Sequence, residues 1–352
     1  EIDGIASVVS RAPGNGPFVL AGSHLESQNR AGWLDGALGV VYALEAARAV
    51  HEAGGPGGVD VIAFADEEGH FGHFLGSFSY ADTLAEETID NARNRTDGTP
   101  LRTALATAGL EGTPRRHHQP GRHKAFLEAH IEQGLTLDGD GLKAGIVTSI
   151  VAIWQFRVVA EGAQNHAGTT SMARRRDAGA ALRRVLMRVE DTFPAIAGPA
   201  SVWTVGRITM EPGDPSIIPG RAEALLQFRD ADPAVLDRLH AKLAELVAAE
   251  DAAGPCTLSL QVLGQTKPAM MDETVQTALD AAAARFAPAK HIRMPSGAGH
   301  DAQNMAPLMP SGMLFVPSIG GISHHWTEDT AEEDIALGAQ IYVDAVARLL
   351  AA

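Results

Sequence analysis

The chain has 352 residues, of which 45% are hydrophobic and 20% charged, and its 28 basic and 43 acidic side chains give a formal net charge of −15. This length and composition indicate a globular protein with two domains or one large one. The acidic balance argues against nucleic acid as a partner, because binding a phosphate backbone needs concentrated Lys and Arg. The single cysteine, Cys256, excludes an intramolecular disulfide and favours a reducing compartment, so we expect a cytoplasmic protein. No apolar run approaches the length of a membrane span, so no membrane partner is expected.

The first part of the chain alternates strands and helices in the order of an α/β sheet. The predicted elements are two short strands within 7–22, a helix over 36–53 that a glycine-rich stretch at 54–57 ends, a strand at 59–65 and a strand within 125–133. A strand, a helix and a second strand in this order indicate a βαβ unit with parallel strands. Residues 81–124 are polar, and we interpret them, including the basic run 115–124, as exposed helix and loop.

After a long strand-like run at 147–160, the order of the predicted strands and helices changes. The elements that follow are a helix at 175–191, strands at 201–208 and 221–228, a helix at 232–249 and a strand at 257–263. The order β-α-β-β-α-β is that of a ferredoxin-like domain. We therefore predict an inserted domain at 151–266 and a first domain formed by 1–150 and 267–352. The alternation of helix and strand that is typical of an α/β sheet then returns, with a helix at 273–286, a strand at 313–316 and a closing helix at 331–350.

Histidines and carboxylates recur at the ends of the predicted strands or in the loops after them. The candidate metal ligands are His24, Asp35, Glu68, His130 and His324. Imidazole and carboxylate suit Zn²⁺ and also Mn²⁺, Co²⁺ or Ni²⁺. The set exceeds what one catalytic ion takes, and if Asp35 bridges, it divides into two half-sites: one of His24, Asp35 and His130, and one of Asp35, Glu68 and His324. Glu67 is then left free to act as a general base. Taken singly, each of these residues is more often structural or solvated.

Six segments give the chain a resemblance to a known family. They are GSHLES with LDG (22–36), FADEEG (64–69), EAHIEQG (128–134), NHAGTTSMARRRDA (165–178), SGAGHDAQNMA (296–306) and FVPSIGGISHHWTEDT (315–330). In this order they resemble the M20 family of metal-dependent amidohydrolases, in the branch of N-carbamoyl-L-amino acid hydrolases, β-ureidopropionases and allantoate amidohydrolases. The resemblance implies an α/β fold in which a mixed-sheet, metallopeptidase-like catalytic domain carries an inserted ferredoxin-like α+β domain, which serves as lid and dimerisation domain.

The resemblance also implies roles for individual residues. The five candidate ligands match those of two divalent ions, with zinc favoured over manganese, cobalt or nickel, and Glu67 matches the catalytic acid and base. His166 matches a lid histidine that reaches the partner subunit's active site and helps to hold the substrate or its oxyanion. Arg229 matches the arginine that takes the substrate carboxylate; without the resemblance, a surface ion pair with Asp230 or Glu223 would be the simpler interpretation. Gln133 and His300 match polar pocket positions, although either could instead support the ligands.

Four positions depart from the family pattern. The family usually has Asp at Glu26, where the side chain orients the first histidine or tunes the water, and Asn at Ser216, where the amide grips the substrate. Phe78 replaces a usual Arg, and Ser171 replaces a usual Pro. The changes at Ser216 and Phe78 bear most directly on which substrate is used.

The sequence thus predicts a metal-dependent hydrolase of linear C–N bonds, either amide or ureido. Its substrates are expected to be small and to carry a carboxylate, with N-carbamoyl-amino-acid-like compounds favoured. The alternative within the same class is an aminoacylase or dipeptidase that acts on ordinary acyl amides. A non-catalytic binding protein on the same fold is the alternative from a different class. We expect a homodimer formed through 151–266.

Overall fold

The computed structural model describes residues 1–54 and 57–352. The strands are β1 (Val8–Ser10), β2 (Phe18–His24), β3 (Gly58–Phe64), β4 (His123–Ile131), β5 (Ala144–Ile150), β6 (Ala152–Glu161), β7 (Asn165–His166), β8 (Val202–Glu211), β9 (Ile217–Ile218), β10 (Arg221–Asp230), β11 (Thr257–Gln265), β12 (Ala269–Met270), β13 (His291–Ser296) and β14 (Ser311–Val316). The helices are α1 (Ala37–Ala53), α2 (Leu75–Tyr80), α3 (Glu86–Asn91), α4 (Leu101–Thr107), α5 (Thr136–Gly139), α6 (Ala178–Thr192), α7 (Pro233–Ala253), α8 (Glu273–Phe286), α9 (Ala302–Met305) and α10 (Glu332–Ala351). Short 3₁₀ helices lie at Met172–Arg174, Phe193–Ala195 and Ile319–Gly321.

The chain forms two compact units, one of Glu1–Ile150 with Met270–Ala352 and one of Val151–Ala269. In the first unit the strands follow the order β1-β3-β2-β4-β14-β5-β12, and β13 pairs with β5. Neighbours from β3 to β14 run parallel, whereas β1 is antiparallel to β3 and β5 is antiparallel to β14. This pairing confirms the predicted mixed sheet of an α/β fold.

The central strands of this sheet are buried along their whole length because they are covered on both faces, and most of their residues are apolar. Every residue of β2, β3 and β14 is buried. Helices α1, α8 and α10 contribute Leu38, Leu279 and Tyr342 to one continuous core with these strands. The Tyr342 hydroxyl donates a hydrogen bond of 2.6 Å to the Leu127 carbonyl, which satisfies its polar atom inside that core.

Helix α1 ends as the sequence predicts. Gly54 follows its last residue in a left-handed conformation, with φ 64°, and its N–H donates to the His51 carbonyl. Gly55 and Pro56, which belong to the predicted stop at 54–57, lie outside the described residues.

The long run predicted at 147–160 is divided between the two units. Strand β5 ends at Ile150 and β6 begins at Ala152, so the run forms two strands that belong to different sheets. An apolar pattern alone does not mark such a break, because both strands are largely buried.

The interpretation of 81–124 as exposed helix and loop was wrong in part. Ile89, Leu101 and Leu105, on α3 and α4, are buried together in a small apolar cluster. At the end of the basic run, Arg122 and His123 pair with the buried carboxylate of Asp60.

Asp60 is 1% exposed, and both oxygens of its carboxylate accept hydrogen bonds. Its carboxylate accepts from Arg122 Nε at 2.6 Å, from His123 Nε2 at 2.9 Å and from the backbone N–H of Ala12 at 2.8 Å. Burial alone would raise the pKa of Asp60, but the hydrogen bonds from His123 and Arg122 outweigh it and lower the pKa to about 2.

The second unit has an antiparallel sheet in the order β11-β6-β10-β8. Helices α6 and α7 pack on one face of this sheet around a core that includes Phe156, Leu182, Phe228 and Leu239. The element order β6-α6-β8-β10-α7-β11 with this pairing is the ferredoxin-like arrangement. Strands β7 and β9 form a separate short ladder that pairs His166 with Ile217.

Among residues 1–54 and 57–352, no helix combines the length and the apolar character that a membrane crossing requires.

Candidate metal centre

The candidate ligands gather because four neighbouring strands run parallel. Strands β3, β2, β4 and β14 are adjacent, so their carboxyl ends lie along one edge of the sheet, where α/β proteins bind ligands. His24 is the last residue of β2 and His130 lies near the end of β4, while Glu68 and His324 lie in the loops after β3 and β14. Asp35 precedes α1, the helix that follows β2.

The first half-site is buried. His24 and His130 are each 1% exposed and Asp35 is 2% exposed. Oδ1 of Asp35 lies 2.9 Å from Nε2 of His130 and 3.6 Å from Nε2 of His24. One ligand atom from each of these residues lies within 4.8 Å of the others, a spacing at which they could hold one ion.

The second half-site uses the other oxygen of Asp35. Oδ2 lies 3.0 Å from Nε2 of His324, and the same Nε2 lies 3.6 Å from Oε1 of Glu68. Asp35, Glu68 and His324 also have ligand atoms within 4.8 Å of one another. The structure therefore brings together both predicted half-sites, with one oxygen of Asp35 directed toward each.

Two histidines present the ring nitrogen that a metal would need. Nδ1 of His24 donates to the Glu26 carbonyl at 2.9 Å, and Nδ1 of His130 donates to the Ile131 carbonyl at 2.9 Å. Because Nδ1 of each ring is occupied by a backbone carbonyl, Nε2 is the ring atom that faces Asp35 and could bind a metal. This is how metal-binding histidines are oriented in proteins.

The charges at this edge are those of a site for cations. Burial lowers the pKa of His24, with a further contribution from His130, which favours the neutral ring that binds a metal. Burial would raise the pKa of Asp35, but His130, His324 and His24 hold it well below the ordinary range, so Asp35 is ionised. Oε1 of Glu68 is buried without a hydrogen-bond partner. Such an oxygen is costly to bury unless a cation compensates it, and the residues therefore fit a pair of divalent ions.

Gly36 makes room for the His24 ring. It has φ 72°, and a Cβ atom added to it would lie 2.3 Å from Cε1 of His24. Only glycine combines this backbone conformation with so close an approach. The Asp35-Gly36 pair thus supplies a ligand and the space for its neighbour.

Glu67 lies beside the first half-site. Its Oε2 is 3.7 Å from Nε2 of His24, and the residue is 8% exposed. Burial raises its pKa well above the ordinary value, and the nearby carboxylates of Asp301 and Glu68 raise it further. A carboxyl group with a raised pKa can accept and return a proton near neutral pH.

Glu26 supports Glu67 through the backbone. Its Oε1 accepts hydrogen bonds from the N–H groups of Glu67 and Glu68. Its carboxylate lies 3.9 Å from Nδ1 of His24, beyond hydrogen-bond distance, and its carbonyl makes that bond instead. The longer side chain at this position thus holds the acidic pair, while the backbone orients the histidine.

Gln133 and His300 both contact metal-ligand candidates. Nε2 of Gln133 donates to Oδ2 of Asp35 at 2.9 Å. His300 is 1% exposed, its ring centroid is 4.6 Å from that of His130, and its Nε2 is 2.8 Å from Oγ of Ser296. These contacts favour supporting roles, the alternative that the sequence left open for both residues.

Several polar residues around the ligands were not singled out from the sequence. Gln28 donates to Oε2 of Glu68, and Arg95 donates to Oε1 of Gln28 at 2.6 Å. Glu128 is fully buried and accepts from Oγ of Ser23 at 2.6 Å, and burial raises its pKa to about 7. Glu128 lies within one of the six segments, which is a signal that could have identified it, whereas Gln28 carries no such signal.

The remaining predicted residues lie in the second unit. His166 is exposed, and its Nδ1 accepts from the N–H groups of Gly168 at 3.0 Å and Thr169 at 3.2 Å. Because Nδ1 accepts, the ring proton is on Nε2. Ser216 lies beside this loop, since its carbonyl accepts from the Ala167 N–H at 2.8 Å, and its hydroxyl donates to Oδ1 of Asp214 at 2.5 Å.

Arg229 lies on the sheet face opposite the two helices. It pairs in register with Ile153 and Val202 on the neighbouring strands, and burial lowers its pKa. Glu223, one of the two residues that an ion-pair interpretation would assign to it, forms salt bridges with Arg157, Arg207 and Arg221.

Comparison with known proteins points to one family. The sequence profile of peptidase family M20/M25/M40 matches residues 18–348. An N-carbamoyl-L-amino acid amidohydrolase of Geobacillus stearothermophilus is 35% identical over 361 residues, which cover 99% of this chain and 86% of that protein. An allantoate amidohydrolase of Bacillus subtilis is 32% identical over 365 residues, with coverage of 99% and 86%. Among solved structures, an amidase of the hydantoinase/carbamoylase family from Burkholderia phymatum has a TM-score of 0.93 and 44% identity, covering 100% of this chain and 86% of that one.

Proposed function

The chain belongs to the M20/M25/M40 peptidase family, and on that premise we propose that it is a metal-dependent amidohydrolase that cleaves linear C–N bonds. Its substrates are small amide or ureido compounds that carry a carboxylate, with N-carbamoyl-amino-acid-like compounds favoured. The observation that carries this proposal is the pair of half-sites that share Asp35 beside an unligated Glu67.

His24, Asp35, Glu68, His130 and His324 would hold two divalent ions, with zinc favoured over manganese, cobalt or nickel. When bound, such ions lower the pKa of water and polarise a carbonyl group. Glu67 takes a proton from the attacking water at its carboxylate and returns it to the leaving nitrogen. Its raised pKa supports this dual role, because the group can hold the proton between the two transfers.

The second unit supplies the groups that hold the substrate. Nδ1 of His166 accepts from two backbone N–H groups, so Nε2 carries the ring proton and can donate it in a hydrogen bond. Such a donor can stabilise the negative charge that develops on the substrate oxygen. Arg229 is assigned to the substrate carboxylate, which its planar guanidinium can bind through two hydrogen bonds. Ser216 takes part as a shorter polar contact.

Residues 151–266 act as lid and dimerisation domain, and His166 serves the active site of the partner subunit. A mixing experiment tests this assignment. Glu67→Gln and His166→Ala protomers are each expected to be inactive as homodimers, but a mixed dimer would contain one site with both native residues. After random exchange of equal amounts, activity should return to about a quarter of the wild-type value. Two inactive variants that stay inactive after proven exchange would contradict the assignment.

The carbamoyl preference is supported by the relatives, which include both an N-carbamoyl-L-amino acid amidohydrolase and an allantoate amidohydrolase. The competing function is that of an aminoacylase or dipeptidase, which the same metal centre could perform on an ordinary acyl amide. The substitutions at Ser216 and Phe78 change the polar groups that would distinguish these substrates.

A substrate panel after chelation tests the function. The protein would be stripped with a chelator, reloaded separately with Zn²⁺, Mn²⁺, Co²⁺ and Ni²⁺, and assayed on N-carbamoyl-amino acids, allantoate, N-acyl-amino acids and dipeptides. We expect no activity after chelation, recovery with at least one ion, and the highest kcat/KM on a carbamoyl or ureido substrate. Activity confined to acyl or peptide substrates would contradict the carbamoyl preference, and full activity after complete chelation would contradict the metal-dependent reaction.

A further inference from the structure

The loop after β14 carries a buried carboxylate that neither the two half-sites nor the proposed proton transfer uses. Glu328 is 2% exposed, although its neighbour Asp329 is exposed. A carboxylate buried to this extent needs several hydrogen-bond donors to compensate the loss of water. Its donors come from two segments that are far apart in the sequence.

One set of contacts reaches the segment that leads to Asp35. Oε1 of Glu328 accepts from the Leu34 N–H at 3.3 Å, and the Glu328 carbonyl accepts from Nε1 of Trp33 at 2.7 Å. These bonds hold the two residues immediately before the shared ligand.

The other set reaches the segment that contains His324. Oε2 of Glu328 accepts from Oγ of Ser323 at 3.0 Å and from the His324 N–H at 3.2 Å. The Glu328 N–H in turn donates to the His325 carbonyl at 3.0 Å. One side chain therefore joins the loops that deliver two of the three ligands of the second half-site, Asp35 and His324.

His324 needs this support because its own position is weakly determined. Its φ is 53°, a left-handed conformation that is unfavourable for a non-glycine residue and persists only where surrounding contacts hold it. Its side chain is 50% exposed, in contrast to the buried His24 and His130 on strands. The bond from its N–H to Glu328 is made at the strained residue itself.

We propose that Glu328 is a positioning residue that clamps the Asp35 and His324 loops together and so sets the metal affinity of the second half-site. The inference rests on the proposed function, since it requires that the second half-site binds an ion. The first half-site should depend on Glu328 much less, because His24 and His130 are held by strands and by carbonyl bonds at Nδ1.

The test is a titration of the metal-free protein with Co²⁺ against a competing chelator, which resolves two binding steps. The step that His324→Gln removes identifies the second half-site. We expect Glu328→Gln to weaken that step about 10- to 100-fold and to leave the other within about twofold, because loss of a residue that orients a metal ligand typically has an effect of this size. Glu328→Asp keeps the charge and should recover part of the affinity. Asp329→Asn, which removes an exposed carboxylate beside it, is the matched control and should bind as the wild type does.

If both Co²⁺-binding steps of Glu328→Gln have the wild-type affinity, or if both are weakened to the same extent, the proposed role of Glu328 is wrong, while the proposed function still stands. If Glu328→Gln fails to fold by circular dichroism, Glu328→Asp decides by the same criterion, with selective weakening of the second step as the supporting result. Wild-type protein that takes up no second Co²⁺ would overturn the proposed function and the clamp with it.

Discussion

The parallel strands of the first unit carry buried acidic and histidine side chains at both of their ends, but the two ends differ in how their charges are satisfied. At the amino-terminal end, Asp60 accepts from Arg122, His123 and a backbone N–H. At the carboxyl end, the ion pairs of Asp35 are with histidines, and Glu68 has a buried oxygen without a hydrogen-bond partner.

This difference separates a structural group from a candidate functional one. A buried carboxylate with a complete set of donors is compensated by the protein and needs no further ligand, and its removal leaves its partners uncompensated. A cluster in which acids outnumber their donors requires something else, and a divalent cation supplies it. Substitutions at the carboxyl end should therefore cost activity and metal, whereas those at the amino-terminal end should cost stability.

The largest effect is expected from Glu67→Gln at the carboxyl end. The amide cannot accept the proton from water, so kcat should fall about 10²- to 10⁴-fold on the best substrate of the panel. Two ions should still bind, because Glu67 is not among the candidate ligands, and the melting temperature should change little. Steady-state kinetics, metal analysis and thermal unfolding measure the three quantities. Glu111→Gln, which changes an exposed carboxylate, is the control and should keep the wild-type kcat. If Glu67→Gln also keeps the wild-type kcat, Glu67 has no part in the mechanism.

Asp60→Asn tests the amino-terminal end. The substitution leaves Arg122 and His123 facing a neutral amide in a buried position, and breaking one side of a buried ion pair costs about 3–5 kcal/mol. The free energy of unfolding from urea titration should fall by about that amount, while kcat per folded molecule and metal content stay at wild-type values. The control, Asp140→Asn, removes an exposed carboxylate and should be neutral. A loss of metal in Asp60→Asn would show that the two ends are not independent.

Gly36→Ala tests whether the geometry of the carboxyl end depends on one missing side chain. The new methyl group would meet the His24 ring, which must move, and a ligand displaced by about 1 Å can cost about 10²-fold in rate. The matched control is Gly98→Ala, because Gly98 has φ 75° but open space where the Cβ would lie. Both variants share the backbone strain, so only the clash distinguishes them. Equal activity and equal metal content in the two would contradict the requirement for glycine.

Much of the metal centre could be predicted from the sequence, since periodicity marks strands and parallel strands bring their carboxyl ends to one edge. That reasoning located all five candidate ligands, His24, Asp35, Glu68, His130 and His324, and the six segments added the resemblance that implies their roles. It did not find Gln28 or Glu328, because their contacts join residues far apart in the chain; Glu328 lies within the segment 315–330, but membership of a segment does not reveal those contacts. It also interpreted Arg122 and His123 as part of a solvated run. Their partner Asp60 lies within an apolar strand, and nothing in the sequence indicates that pairing.

The smallest expected effect is the pH dependence of stability at the amino-terminal end. The pKa of Asp60 is lowered to about 2 in the folded protein, whereas an unfolded Asp titrates near about 3.9. Because the folded pKa is the lower one, this contribution is fully present above about pH 4 and is lost as the pH falls toward about 2. At about 1.4 kcal/mol per pKa unit, its upper bound is about 2.6 kcal/mol.

Other carboxylates also titrate in this range, so the quantity to measure is the difference in unfolding free energy between wild type and Asp60→Asn at each pH. That difference should be constant from about pH 7 to about pH 5 and should shrink below about pH 4, because the wild type alone loses the ionised Asp60. A difference that stays constant down to about pH 2 would mean that Asp60 titrates normally. The balanced charges inferred for the amino-terminal end would then be wrong, and the contrast with the carboxyl end would rest on the metal centre alone.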